Sequence, residues 1–307
     1  MTNYLFFTNT QNYKLDNSLI DAVNNFFQNE INTKYNFNTL QDHSAYEWSF
    51  EKPKITDNLK DLIKNKFKNI PVDINLLKIN SPRKKKLLIA DMDSTIIEEE
   101  SLNEIAKFNN VNDQVSFITK NAMEGRIDFE KALDQRVALL KNLDLKKIQN
   151  LNKSINFTPG SLELLLCMNY YNAVTVLVSG GFMPTIKYVA NKLKFQFYHG
   201  NDFIYKNNSH GECVLSGLVE KPVLNQDSKL KILLDYKKKL KLSSNEIICV
   251  GDGANDLKMI REAGIGVAFN GKKILEQNSD AVFNYTNLTG LLFLQGYKES
   301  EIKKINH

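Results

Sequence analysis

Residues 84–101 read "KKKLLIADMDSTIIEEES", and this stretch decides how the rest of the chain is read. A basic run, Arg83 to Lys86, meets a short apolar segment, Leu87 to Ala90. Such a segment has the length and character of a buried strand. It ends on two aspartates, Asp91 and Asp93, separated by one residue. Alternate residues of a strand share a face, so both carboxylates can reach one point beyond its end. Carboxylates repel one another, and removing them from water is costly. Something must offset that cost, and a cation would.

Downstream, three more apolar runs follow: "AVTVLV" at 173–178, "EIICV" at 246–250 and "GIGVAF" at 264–269. They are short and rich in branched residues, as parallel strands covered on both faces are. Amphipathic helical segments separate them. The expectation is an α/β core with a doubly wound, Rossmann-like parallel sheet. Two segments depart from the alternation. Residues 98–157 read as wholly helical, which predicts an inserted cap. Residues 197–220 read as a hairpin turning at Asn207-Asn208.

Upstream, residues 1–82 form a separate unit, bounded by the turn and charges of "NSPRKKK". "NYLFFT", "YNFNTLQ", "SAYEWSFE" and "PVDINLLKI" read as strands. "NSLIDAVNNFF" reads as a helix with Leu19, Ile20, Val23, Phe26 and Phe27 on one face and Asn17 or Ser18 as its cap. "TDNLKDLIKNKF" reads as a second, capped by Thr56, with Leu59, Leu62, Ile63 and Phe67 inward. The order β-α-β-β-α-β predicts an α+β ferredoxin-like domain, with residues 83–307 as the second domain. His43 and Trp48 read as structural residues.

Composition bounds the function. Of 307 residues, 42% are apolar, enough for a real core. The net charge of +5 is spread over scattered lysines, so it reads as a solvated surface and not as a nucleic-acid site. Three separated cysteines with no C-x-x-C pair predict neither a disulfide framework nor a zinc site, and Cys167 and Cys249 read as core thiols. The start of the chain lacks the basic and apolar regions of a signal peptide. No apolar run approaches the ~18 residues of a membrane span. The expected location is the cytoplasm, with no membrane partner.

The chemistry lies at strand ends. "LLIA" ends in Asp91-Met92-Asp93-Ser94-Thr95, "AVTVLV" in Ser179-Gly180-Gly181-Phe182, and "EIICV" in Gly251-Asp252-Gly253-Ala254-Asn255-Asp256. Ligands of open α/β sheets bind beyond the carboxyl ends of the strands. One crevice would therefore collect Asp91, Asp93, Ser179, Asp252, Asn255 and Asp256. Carboxylates without His or Cys select a hard cation, and few carboxylates suit Mg²⁺ meeting a phosphate. Glycines beside Ser179 and Asp252 let backbone N–H groups approach an anion.

Within "MEGRIDFEKALDQRVALLKNL", residues 123–143, one helical face carries Phe129, Leu133, Arg136, Val137 and Leu140. An arginine in that stripe is odd. It reads either as a side chain snorkelling at the stripe edge or as a fork aimed at a carboxylate.

"DMDST", "SGGF" and "GDGAND", in this order and each after an apolar strand, resemble the haloacid-dehalogenase-like phosphohydrolases. Most narrowly, they resemble the branch that acts on phosphoserine. The resemblance spans residues 86–290 and implies that family's core and cap, with Mg²⁺ as cofactor. It implies that Asp91 is the nucleophile that becomes an aspartyl phosphate, and Asp93 the general acid and base. Asp91, the Asp93 main-chain carbonyl and Asp252 match the metal ligands. Ser179, the Gly180 N–H, Lys229 and Asn255 match the phosphoryl-binding groups, with Lys221 as the alternative lysine. Asp256 matches a residue near the metal and its waters. Glu100 matches the partner of a substrate ammonium, Arg136 that of a carboxylate, and Met123 and Phe129 apolar contacts closing over the substrate. Glu98 and Glu99 read as solvated acids.

The implied reaction is hydrolysis of O-phospho-L-serine, the last step of L-serine biosynthesis. Phosphothreonine, a sugar phosphate, or phosphoryl transfer to homoserine are alternatives. A non-enzymatic amino-acid-binding regulator is the rival class. The first unit resembles, in topology only, the ACT type of small-molecule-sensing domain, which leaves it a regulatory or homodimerising role.

Overall fold

The structure is a computed structural model describing residues 2–51, 55–123 and 126–305. The N-terminal unit holds strands β1 (Thr2–Thr8), β2 (Tyr35–Gln41), β3 (Ala45–Phe50) and β4 (Asp73–Ile79). They form an antiparallel sheet ordered β2-β3-β1-β4, the ferredoxin-like arrangement. Helices Asn17–Phe26 and Asp57–Lys66 cover one face. The two-residue period of β1 explains how the sheet is used. Leu5 and Phe7 pack under the helices with Trp48, while Phe6, between them, packs into the core of the second domain.

Two details differ from expectation. The first helix is capped by Asp16, which accepts the Leu19 N–H at 3.0 Å; Ser18 donates its hydroxyl to that same carboxylate. In the second helix Thr56 is the cap, but Leu62 is 42% exposed while Leu59, Ile63 and Phe67 are buried. The buried stripe there is one residue narrower than the pattern indicates.

The second domain is built on β5 (Leu87–Ala90), β6 (Val174–Phe182), β7 (Phe197–Asn201), β10 (Ile247–Gly251), β11 (Ile265–Phe269) and β12 (Ala281–Phe283). All pair in parallel, in the order β12-β11-β10-β5-β6-β7. β5, which runs straight into Asp91, lies mid-sheet between β10 and β6. All four of its residues are buried, as a strand covered on both faces requires.

The predicted hairpin of 197–220 divides. Phe197–Asn201 is the parallel edge strand β7, and the hairpin is β8 (Phe203–Asn207) with β9 (Cys213–Val219). Its turn lies further on, where the Asn208 side chain accepts the N–H groups of His210 and Glu212, both at 2.9 Å. The hairpin joins the cap. Helices Ser101–Lys107, Asn112–Met123, Phe129–Ala138 and Leu145–Leu151 share a core with it, containing Leu133, Val137, Leu140, Phe203 and Leu215. Leu215 exchanges backbone hydrogen bonds with Asn142 and Leu143, both at 2.9 Å. The two departures from the α/β alternation thus form one body above the sheet.

Polar side chains clamp the N-terminal unit to the sheet edge. Asn75 on β4 both donates to the Val282 carbonyl (3.0 Å) and accepts the Val282 N–H (2.8 Å), standing in for a strand partner of β12. Asp73 accepts the N–H groups of Asn284 and Tyr285. Among the described residues, no helix is long and apolar enough to cross a membrane.

Candidate active site

The carboxyl ends of β5, β6 and β10 open into a cavity of about 420 Å³. Its floor is the sheet end and its roof the cap. Asp91, Asp93, Gly180, Lys229, Asp252 and Asn255 line the floor; Glu100, Phe129 and Arg136 line the roof.

Asp91 is buried at 3% exposure. Its Oδ1 accepts the Met92 N–H at 2.8 Å and lies 2.8 Å from Lys229 Nζ. Both protein donors therefore hold the same oxygen. Oδ2 has no donor among the described residues, so one oxygen is anchored and the other is available to react. Lys229 projects from helix Gln226–Lys239, whose cap, Asn225, accepts the N–H groups of Asp227 and Ser228. Its Nζ also reaches Asp256 Oδ1 at 2.6 Å. Burial works against this ammonium, but Asp256 and Asp91 outweigh it and hold it charged. Lys221, by contrast, is exposed and bound to Asp134 at 2.9 Å, away from the floor.

Asp93 lies past a tight turn whose next residue, Ser94, has φ +53°, in the left-handed region. The turn brings Asp93 Oδ1 to the Ser101 N–H (2.8 Å) and Oδ2 to the Ser179 hydroxyl (3.1 Å). Burial, then the Glu100 carboxylate, push Asp93 up to about 7. Ser179, fully buried, in turn accepts the Gly181 N–H at 2.8 Å. A Cβ at Gly181 would sit 3.0 Å from both Asp93 Oδ2 and Ser179 Oγ, which explains the glycine there. A Cβ at Gly180 would meet nothing within 4 Å, since that residue faces the open cavity.

Asp252 and Asp256 come from the end of β10. A Cβ at Gly251 would lie 2.4 Å from Asp256 Cγ, so only glycine lets Asp256 fold back under the strand end. One carboxylate oxygen from each of Asp91, Asp252 and Asp256 falls within 4.8 Å of the others. Burial, then the neighbouring Asp91, push Asp252 up to about 6, and Asp256 is driven in the same direction by the same causes. Three crowded, buried carboxylates face one buried lysine, with Lys272 acting on Asp252 from the cavity wall, and negative charge is still in excess; an oxygen-only donor set suits a hard divalent cation. The residues present therefore fit a metal ion.

On the roof, Glu100 is exposed and accepts the Ser94 hydroxyl at 3.0 Å. The apolar stripe of helix Phe129–Ala138 splits. Val137 packs in the cap core, Leu133 packs there and also lines the cavity, and Phe129, 39% exposed, and Arg136 face the cavity. The Met123 side chain lies outside the described residues.

Glu99 departs from the reading of a bland solvated acid. It accepts the Asn156 N–H at 3.0 Å and the Asn156 Nδ2 at 2.8 Å. With the Ile97–Phe157 bridge, it laces together the two chain segments that enter and leave the cap helices. The sequence reading also passes over Lys272 and Thr119, which line the cavity. Lys272 follows the end of β11, so the rule that strand ends carry function reaches it.

Residues 85–264 match the family of haloacid dehalogenase-like hydrolases. A probable phosphoserine phosphatase of Schizosaccharomyces pombe is 36% identical over 235 residues, 76% of this chain and 78% of that protein. A solved phospho-aspartyl intermediate analogue of phosphoserine phosphatase is 36% identical, with a TM-score of 0.62, covering 68% of this chain and 98% of that one. A HAD family hydrolase from Salmonella enterica serovar Typhi superposes with a TM-score of 0.83 over 95% of this chain and 98% of its own. At 24% identity, that likeness concerns the fold alone, and its span takes in the N-terminal unit.

Proposed function

The chain belongs to the haloacid dehalogenase-like hydrolases, and from that membership we propose that it hydrolyses O-phospho-L-serine to L-serine and phosphate, using Mg²⁺. One observation carries the substrate. A single cavity holds a nucleophile and a buried ammonium on its floor, and a carboxylate, Glu100, and a guanidinium, Arg136, on its roof. Phosphoserine presents, in a small volume, a phosphate for the floor pair, an ammonium for Glu100 and a carboxylate for Arg136.

In this reading the anchored Asp91 uses its other oxygen to attack phosphorus, forming an aspartyl phosphate. Asp93, pushed up to about 7 and so largely protonated below that pH, gives its proton to the departing seryl oxygen, which is a poor leaving group as an alkoxide. Asp93 then takes a proton from water as that water attacks the aspartyl phosphate. The second attack releases phosphate and returns Asp91. Lys229, Ser179, the Gly180 N–H and Asn255 hold the phosphoryl oxygens. Lys229 and Ser179 are fixed before reaction by buried contacts, so they need little reorganisation as charge moves. Asp91, the Asp93 carbonyl and Asp252 would hold Mg²⁺, which supplies further positive charge to the phosphoryl group. The cap excludes bulk water during transfer. A cytoplasmic setting belongs to this proposal and is supported by three unpaired thiols, Cys167, Cys213 and Cys249.

The test is Mg²⁺-dependent phosphate release from phosphoserine, phosphothreonine, sugar phosphates and p-nitrophenyl phosphate, with and without homoserine. Phosphoserine should lead. In Arg136→Ala, kcat/KM on phosphoserine should fall ~30- to 100-fold, the scale of a lost charge-assisted fork, while the aryl phosphate changes little. Equal losses on both substrates would remove the carboxylate reading of Arg136.

A further inference from the structure

The Arg136 guanidinium has few acceptors. Its Nε donates to the Ala132 carbonyl at 3.2 Å, one turn back on its own helix. Its Nη1 donates to Thr119 Oγ1 at 3.3 Å, on the neighbouring helix Asn112–Met123. Among the described residues no carboxylate forms an ion pair with it. Its Nη2 group and one Nη1 hydrogen have no protein acceptor there. A half-buried cation left in this state is prepared for an anion that arrives with the ligand.

Thr119 does more than fill space beside it. Its hydroxyl donates to the Val115 carbonyl, four residues back, at 2.9 Å. That bond uses the only hydrogen the hydroxyl has, so the oxygen can offer the guanidinium lone pairs alone. The polarity of the contact is therefore fixed by the helix. The Ala132 bond by itself leaves the fork free to pivot about Nε. A second tether from a different helix defines its plane. Thr119 and Arg136 both line the cavity.

We infer that Thr119 is a positioning residue: it holds the Arg136 fork in the plane that receives a substrate carboxylate and so sets the preference for carboxylate-bearing phosphates. The inference rests on the proposed role of Arg136. Guanidinium recognition is planar and bidentate, so a fork free to swing loses affinity although its charge remains.

The test compares Thr119→Val, nearly isosteric but without an acceptor, with Thr119→Ser, which keeps the back-bonded hydroxyl. Both are assayed as full-length protein with Mg²⁺, on phosphoserine and p-nitrophenyl phosphate, beside Arg136→Ala. In Thr119→Val the phosphoserine-to-aryl ratio of kcat/KM should fall ~10-fold, the scale of one hydrogen bond to a charged group. The loss should appear in KM for phosphoserine, with kcat nearly kept. Thr119→Ser should restore most of the ratio. An unchanged ratio in Thr119→Val, or equal losses in the valine and serine variants, would overturn the inference. If Arg136→Ala discriminates and Thr119→Val does not, only the positioning role falls. If Arg136→Ala does not discriminate either, the carboxylate reading falls and this inference with it.

Discussion

The floor and the roof of the cavity are built on opposite terms. On the floor, Asp91, Ser179, Lys229 and Asp256 are each at most 3% exposed. Each is tied to another polar group by a contact of 2.6–3.1 Å. On the roof, Glu100 and Phe129 are exposed and Arg136 hangs on two neutral acceptors. The difference follows from electrostatics. Floor charges can be buried because they oppose one another at contact distance. Roof charges have no such partners, and burying them unpaired would be costly, so they stay near water; in the proposed function the substrate supplies the opposite charges. Under the proposed function, chemistry is thus preorganised while selection is left adjustable.

The heaviest blow to the floor should come from Asp91→Asn. The amide oxygen can still accept from Met92 and Lys229 at Oδ1, so folding should survive, with a melting temperature close to that of the parent. Turnover should fall by ~10³ or more, since no nucleophile replaces the carboxylate. The base-labile acyl phosphate should also vanish. Residual turnover within tenfold of the parent would contradict the assignment and with it the special status of the floor.

The floor's excess negative charge should show in the pH dependence of the metal-free protein. Asp252 rises from the ordinary carboxylate range to about 6, because of burial and then Asp91. A carboxylate whose folded pKa lies above its unfolded value contributes stability at low pH, and that contribution is lost as pH rises through the folded pKa. Chelator-treated protein should therefore lose up to about 3 kcal/mol from this group between pH 4 and pH 7, at ~1.4 kcal/mol per unit. Asp252→Asn should flatten the decline, and Mg²⁺ should reverse it. Thermal melts at pH 5 and 7.5 in chelator and in Mg²⁺ measure this. A metal-free decline no shallower in Asp252→Asn would mean that the floor is not overcharged there.

The same contrast governs what the sequence disclosed. Floor residues were legible because each follows an apolar strand, and strand ends in α/β sheets converge: Asp91 after "LLIA", Ser179 after "AVTVLV", Asp252 after "EIICV". The roof was less legible, because helix periodicity gives a face but not what that face meets. It grouped Phe129 and Arg136, which line the cavity, with Val137, which turns into the cap core. "FYHGN" hid the edge strand β7, since an edge strand lacks the continuous apolar run of a buried one. Tertiary pairing decided the roles of β8 and β9, and of Thr119, whose value lies wholly in a neighbouring helix. Glu99 was passed over because its partner, Asn156, lies 57 residues away.

Glu99 tests where the boundary between floor and roof lies. Its carboxylate holds Asn156 by two groups, at 3.0 and 2.8 Å, across the two connections to the cap. Among the described residues its carboxylate bonds only to Asn156. Its main-chain carbonyl accepts the Ser94 N–H at 3.2 Å, a bond that substitution of the side chain leaves in place. In Glu99→Ala the cap should therefore seat less firmly while the chemical groups stay where they are. The cost to stability should be about 1 kcal/mol, the scale of exposed hydrogen bonds. KM for phosphoserine should rise ~2- to 5-fold with little change in kcat, the pattern of lost uniform binding. Glu99→Gln, which keeps one acceptor oxygen, should fall between the alanine variant and the parent. A collapse of kcat approaching that of Asp91→Asn would show that the lacing shapes the floor itself, and that the preorganised half of the cavity extends into the hinge.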